Sequence, residues 1–206
     1  MNTNDIGFRD TSKLSEWIVL SLKITMITYA LLTPLYIPAV SYWFDTNESL
    51  IGLILGIVIL VSSILLIVVL IGSVILIFRW IYLSNINSRL MGAKNMKFSP
   101  GWAIGWNFIP LMNLFMPFRV MKEIWKTSKD PKNWESLKTP SIIIWWWPMT
   151  LTSSLVSQAS LRAENNGSSA DTLLVFAILD LAVTIIWCIL TINLVEEISQ
   201  MQNQDR

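Results

Sequence analysis

From Ile51 to Ile77 the chain carries no charge, and glycine and serine are its only non-aliphatic residues. A hydrocarbon core of about 30 Å is crossed by about 20 apolar residues in a helix, so this run reads as a membrane span. The wider apolar stretch, Leu50 to Phe78, is longer than one crossing needs. Its 29 residues would extend about 43 Å at the rise of an α-helix, so the helix is expected to tilt or to emerge on one side. The continuation supports emergence: Trp80, Leu83, Ile86 and Leu90 recur at helical spacing, and Gly92 supplies a stop.

Three further runs meet the same length criterion. The spans are expected at about 17–39, 50–78, 141–161 and 172–195, inside a single membrane domain over 17–195, with an N-terminal segment 1–16 and a tail 196–206. A chain that is 53% hydrophobic and 14% charged is too apolar for an ordinary soluble domain. The net charge of +1 conceals segregation. Ten of the fifteen cations fall between Arg79 and Lys138, opposed only by Glu123, Asp130 and Glu135. The Ser41–Ser49 loop has Asp45 and Glu48 but no cation, and the loop after the third run offers only Arg162. The positive-inside rule therefore puts the amphipathic region 79–140 and both termini in the cytoplasm. Arg9 and Lys13 before an apolar run imitate a secretory signal, but that run exceeds the roughly 7–15 residues of such a signal. An uncleaved first helix is expected. The glycosylation sequons at Asn47 and Asn166 are read as chance.

The stretch Phe98 to Phe118 is apolar and uncharged, but Pro100, Gly101, Gly105, Pro110 and Pro117 oppose one straight helix. Ser99-Pro100 has the form of an N-cap followed by proline at the first helical position, and this short helix should reach about Phe108. Pro110 interrupts it, and Leu111 to Met116 forms a second apolar turn containing Asn113. A third piece begins at Pro117, with Phe118, Met121, Ile124 and Trp125 on one face and Arg119, Lys122, Glu123 and Lys126 on the other. The fold class expected is an all-α integral membrane protein with four transmembrane helices. A kinked, Trp-rich re-entrant or interfacial element lies between the second and third. Trp102, Trp106, Arg119, Lys122, Trp125 and Lys126 are its candidate interface or lipid contacts, since tryptophans and cations suit the headgroup zone.

Phe78-Arg79-Trp80, Asn87 to Gly92, Phe98-Ser99-Pro100-Gly101-Trp102-Ala103, Phe108-Ile109-Pro110, Asn113-Leu114, Pro117, Glu123-Ile124-Trp125 and Trp145-Trp146 follow one another in an order that resembles a bacterial membrane family. It is the family catalogued as domain of unknown function 4328. The resemblance covers about Leu50 to Val195 and is densest from Arg79 to Ser128. It implies a bacterial integral membrane protein, which together with the charge bias is expected in the cytoplasmic membrane, and it brings no established activity or catalytic residue.

Asp180 is the one acid deep within an expected span, and an intramembrane carboxylate is a functional candidate by default. Ala177, Thr184, Trp187 and Thr191 share its face, while Ser153, Ser157 and Ser160 form a hydroxyl stripe on the third span. Asp180, Thr184, Ser153 and Ser157 are the candidate intramembrane polar site. Lys23 sits at a different depth and can snorkel to the inner surface. Gly52-x-x-x-Gly56 permits close helix approach.

The chain has no histidine and a single cysteine, Cys188. Histidine-dependent hydrolytic constellations and imidazole or thiol-cluster metal sites are therefore unavailable. No nucleophile–base pair or ligand spacing is visible, so neither enzymatic activity nor a cofactor or metal is expected. The partners expected are membrane lipids, anionic ones included, and a second copy or another membrane protein, with no nucleic acid. The function expected is that of a non-enzymatic interaction or scaffold protein, the alternative being a small oligomeric transporter or channel built around Asp180.

Overall fold

The computed structural model describes the backbone of residues 7–46 and 50–204, with side chains except those of 34–46, 55 and 170. The Asn47 sequon, Glu48 and Arg206 lie outside the described residues, as does the side chain of Asp45. The described residues are helical throughout, without strands: α1 (Ser12–Thr46), α2 (Leu50–Leu90), α3 (Pro100–Gly105), α4 (Met116–Lys129), α5 (Ser141–Asn165) and α6 (Ala170–Gln204). Short 3-10 turns stand at Trp106–Phe108, Met112–Leu114 and Trp134–Ser136.

Three helices are long and apolar enough to cross a membrane: α1 over Ser12–Thr33, the whole of α2, and α6 over Asp171–Gln204. The 25 residues of α5 are enough in length, but Thr150, Thr152, Ser153, Ser154, Ser157, Gln158 and Ser160 dilute its hydropathy. Continuity of α2 past Arg79 accounts for the overlong apolar run. One helix of 41 residues extends about 61 Å, roughly twice the thickness of a hydrocarbon core.

Local chemistry sets the ends. Gly92, at φ 95°, donates its N–H to the Arg89 carbonyl at 3.0 Å, and Ala93 donates to Ser88 at 3.1 Å. These are the paired bonds of a Schellman stop, which satisfies carbonyls that the helix end would otherwise orphan. Gly167, at φ 66°, ends α5 the same way, with bonds to Glu164 and from Ser168 to Ala163, both 3.0 Å. At the start of α3 the Ser99 hydroxyl accepts the Trp102 N–H at 3.4 Å, and Pro100 occupies the first turn. Pro110 follows the Trp106–Phe108 turn, and Pro117 sits in the first turn of α4. The 98–118 stretch is thus broken where its prolines fall.

The chain divides into two compact units. The first comprises Met1–Leu20, Val74–Pro148 and Ile189–Arg206, and the second Ser21–Ser73 and Met149–Cys188. Within the first, Trp80, Val120, Ile124, Ile143, Leu194 and Ile198 are buried. A hydrogen-bonded polar layer is buried with them: Asn85, Asn87, Ser88, Thr127, Ser128 and Gln202. Within the second, Leu53, Ile57, Leu60, Ile64, Ile71, Leu155 and Ile178 are all exposed. An apolar surface of that extent on a helix is what lipid covers.

Candidate functional site

Arg119, Lys122 and Lys126 recur at three- and four-residue steps along α4 and share one face of it. They line a groove of about 690 Å³ together with Lys97, Phe98, Glu123, Trp134 and Glu135. Glu123 fixes the opposite wall. Its Oε1 accepts the Lys97 N–H at 2.6 Å and its Oε2 the Phe98 N–H at 3.1 Å. Arg89 braces the same loop from behind, donating to the Phe98 carbonyl at 2.8 Å and to Asn85 Oδ1 at 3.2 Å, while Asn85 also donates to Phe98. One buried carboxylate and one guanidinium therefore hold Lys97 against α4. Burial pushes the Glu123 carboxyl above its ordinary range, against the pull of the two N–H groups and of Arg89 and Lys97.

The end of the groove is set by Trp134, buried with its Nε1 donating to the Lys94 carbonyl at 2.9 Å. The turn leading to it is closed by Asp130, which accepts from the N–H groups of Lys132 and Asn133 at 3.1 Å and from the Asn133 amide at 3.2 Å. The Asn133 bonds, backbone first, hold the Asp130 carboxyl below its usual range.

Behind α4 the polar layer ties the unit together. Asn87 pairs with the main chain of Arg9, accepting its N–H at 2.9 Å and donating to its carbonyl at 2.8 Å, and donates to Gln202 at 3.2 Å. Gln202 donates to the Ser84 carbonyl at 3.0 Å and to Ser128 at 2.8 Å, and Thr127 donates to Ser88 at 2.9 Å. Two indoles complete it, Trp80 donating to Ser199 and Trp146 to Thr191, both at 3.0 Å. A buried polar group without a partner is costly, so this layer fixes one arrangement of α2, α4 and α6 within the unit.

The sequence-predicted interface residues divide. Arg119, Lys122 and Lys126 converge on the groove with Glu123 of the same charged face, joined by Lys97 and Trp134, which periodicity on α4 does not select. Trp102 is exposed and its ring lies 4.8 Å from that of Trp106. The Trp106 ring is half-buried, with its Nε1 enclosed and lacking a hydrogen-bond partner. Trp125 is buried, so it packs α4 instead of meeting solvent or lipid, and Lys129 Nζ stands 6.0 Å from its ring centroid. The turns between α3 and α4 leave Phe108, Leu111 and Phe115 exposed, while the Leu114 carbonyl is anchored by Trp147 Nε1 at 2.9 Å. The 97–98 loop is joined to α4 by bonds from its main-chain N–H groups to the distant Glu123 carboxylate, which leave no periodic trace.

In the second unit, Ser157 donates to Asp180 Oδ1 at 2.7 Å. Thr184 is buried one turn further along α6, and Trp187 donates to Thr150 at 3.0 Å. Ser153 is half-buried on α5, and Lys23 is exposed.

No curated protein and no solved structure matches the chain. The family model described as Domain of unknown function (DUF4328) matches residues 56–200, a stretch that takes in α3, α4, the groove and Asp180. The chain belongs to that family.

Proposed function

We propose that the chain is a polytopic protein of the bacterial cytoplasmic membrane with four spans, both termini cytoplasmic, and a non-enzymatic interaction function. α5 is the third of these spans in chain order, its Ser157 hydroxyl donating to Asp180. The stretch from Trp102 to Lys126 is the interaction surface, an interfacial element seated on the anionic inner leaflet. The observation that carries this reading is an apolar rim beside a cationic groove. Trp102, Phe108, Leu111 and Phe115 are 54%, 73%, 74% and 62% exposed, on turns packed against the helix that bears Arg119, Lys122 and Lys126. Exposed aromatic and leucine side chains in such number, rimmed by cations, are suited to a headgroup layer and poorly suited to water.

The test uses the full chain in nanodiscs with spin labels at positions 108 and 111. Labels shielded from a water-soluble relaxant and reached by a lipid-soluble one support the reading. Labels fully accessible from water sink it.

A second reading, a small oligomeric transporter or channel with Asp180 as its intramembrane ionisable group, is favoured by the 2.7 Å Ser157–Asp180 bond. Ion flux through reconstituted protein that is unchanged by Asp180→Asn removes it.

A further inference from the structure

A lysine can bury its stem against protein and still hold its ammonium at a defined point of a surface groove. Lys126 is 8% exposed as a residue, its stem packed and its ammonium turned to the groove. It lines the groove with three other cations, Lys97, Arg119 and Lys122. Burial first, and then the charge of Lys122, lower its pKa, and no carboxylate offsets them. Glu123, the nearest acid along α4, has both oxygens occupied by the Lys97 and Phe98 N–H groups. The other acid of the groove, Glu135, is exposed. The groove therefore gathers four cations against two acids, one of which is already bonded to the 97–98 loop.

Geometry narrows the anion. Arg119, Lys122 and Lys126 approach from one helix face and Lys97 from the pinned loop, so donors converge from two sides. The planar fork of Arg119 suits two oxygens of one group, and the ammoniums serve as point charges for the remainder. Trp134 and Phe98 line the groove as apolar walls, and Trp134 is locked by its bond to Lys94. Low polarity there strengthens each charge interaction.

We infer that this groove is a discrete binding site for a phosphate dianion, carried on a lipid headgroup or free in solution, with Lys126, Lys122, Arg119 and Lys97 as its donors. The inference rests on the interfacial reading only for the source of the phosphate. The site itself stands on the groove.

The experiment is calorimetric titration of inorganic phosphate into the full chain in nanodiscs of neutral phosphatidylcholine. Saturable binding is expected. Lys126→Met keeps the buried stem and removes the charge. It should weaken binding by about tenfold or more. Arg119→Gln, at an exposed position, should weaken binding by about the same factor with no change in Tm, which keeps the test open should Lys126→Met fold poorly. Lys132→Met, outside the groove but equal in charge change, should leave binding within about twofold. Absence of saturable binding to the wild type, or equal weakening by Lys132→Met, overturns the site. Repeating the titration in discs containing phosphatidic acid separates the sources. A lipid headgroup in the groove abolishes free-phosphate binding and raises the Tm of the wild type but not of Lys126→Met. Unchanged phosphate binding in those discs keeps the site, assigns it to a soluble phosphate and contradicts the lipid-facing reading alone.

Discussion

At the scale of single residues, Glu123 shows how one side chain converts sequence distance into a site. Its carboxyl joins residues 25 or more positions away through two main-chain N–H groups. Glu123→Gln retains one acceptor and turns an amide toward the second N–H, so a loss of about 1–3 kcal/mol is expected in denaturant unfolding of the detergent-solubilised protein. The pH dependence has a definite sign. Burial raises this carboxyl above 4.5, so the folded protein holds the proton more tightly than the unfolded chain. Its contribution is fully present below pH 4.5 and declines as pH rises through the folded pKa. Wild-type Tm minus that of Glu123→Gln, measured across this window, should fall with rising pH. A difference that rises instead would reverse the assignment of burial as the dominant influence. Asn87→Ala is expected to cost about 2 kcal/mol or more, since it strands the Arg9 N–H and carbonyl.

Elements were legible from sequence wherever their limits are chemical and local. Gly92, Ser99, Pro100, Pro110 and Pro117 act on backbone within a turn of themselves, and the broken path from 98 to 118 follows from them. Gly92→Ala places an L side chain at φ 95°, with an expected cost of about 1–2 kcal/mol. Gly101→Ala meets open space and ordinary helical backbone, and is expected to change unfolding free energy by under about 1 kcal/mol. Equal effects of the two in chemical denaturation would show that conformation is not what selects glycine at 92. The face of α4 was only half legible. Its charged positions read as the headgroup-facing side of an interfacial helix, but Glu123 and Lys126 are buried as residues, where the 97–98 loop and the Trp134 turn line the same groove. Such an arrangement is a property of distant segments and has no signature in helical periodicity. The same limit hid the Asn87–Gln202–Ser128 bonds. The Ser157–Asp180 bond was within reach of the sequence, since it joins the hydroxyl stripe of α5 to the Asp180 face of α6.

At the scale of the whole molecule, charge and apolarity are partitioned along the chain. α2 alone passes from a lipid-suited surface over 50–75 to a stretch bearing buried Trp80, Asn85 and Asn87. On the proposed topology the cations of 79–138 lie on the cytoplasmic side, with the exposed rim at 102–115 in the inner leaflet. The most direct test is single-cysteine labelling on a Cys188→Ser background at positions 108, 111, 119 and 132, with a membrane-impermeant maleimide. None of the four should be labelled in intact cells. In inverted vesicles strong labelling is expected at 119 and 132, with protection at 108 and 111. Labelling at 132 from outside intact cells would contradict the proposed topology.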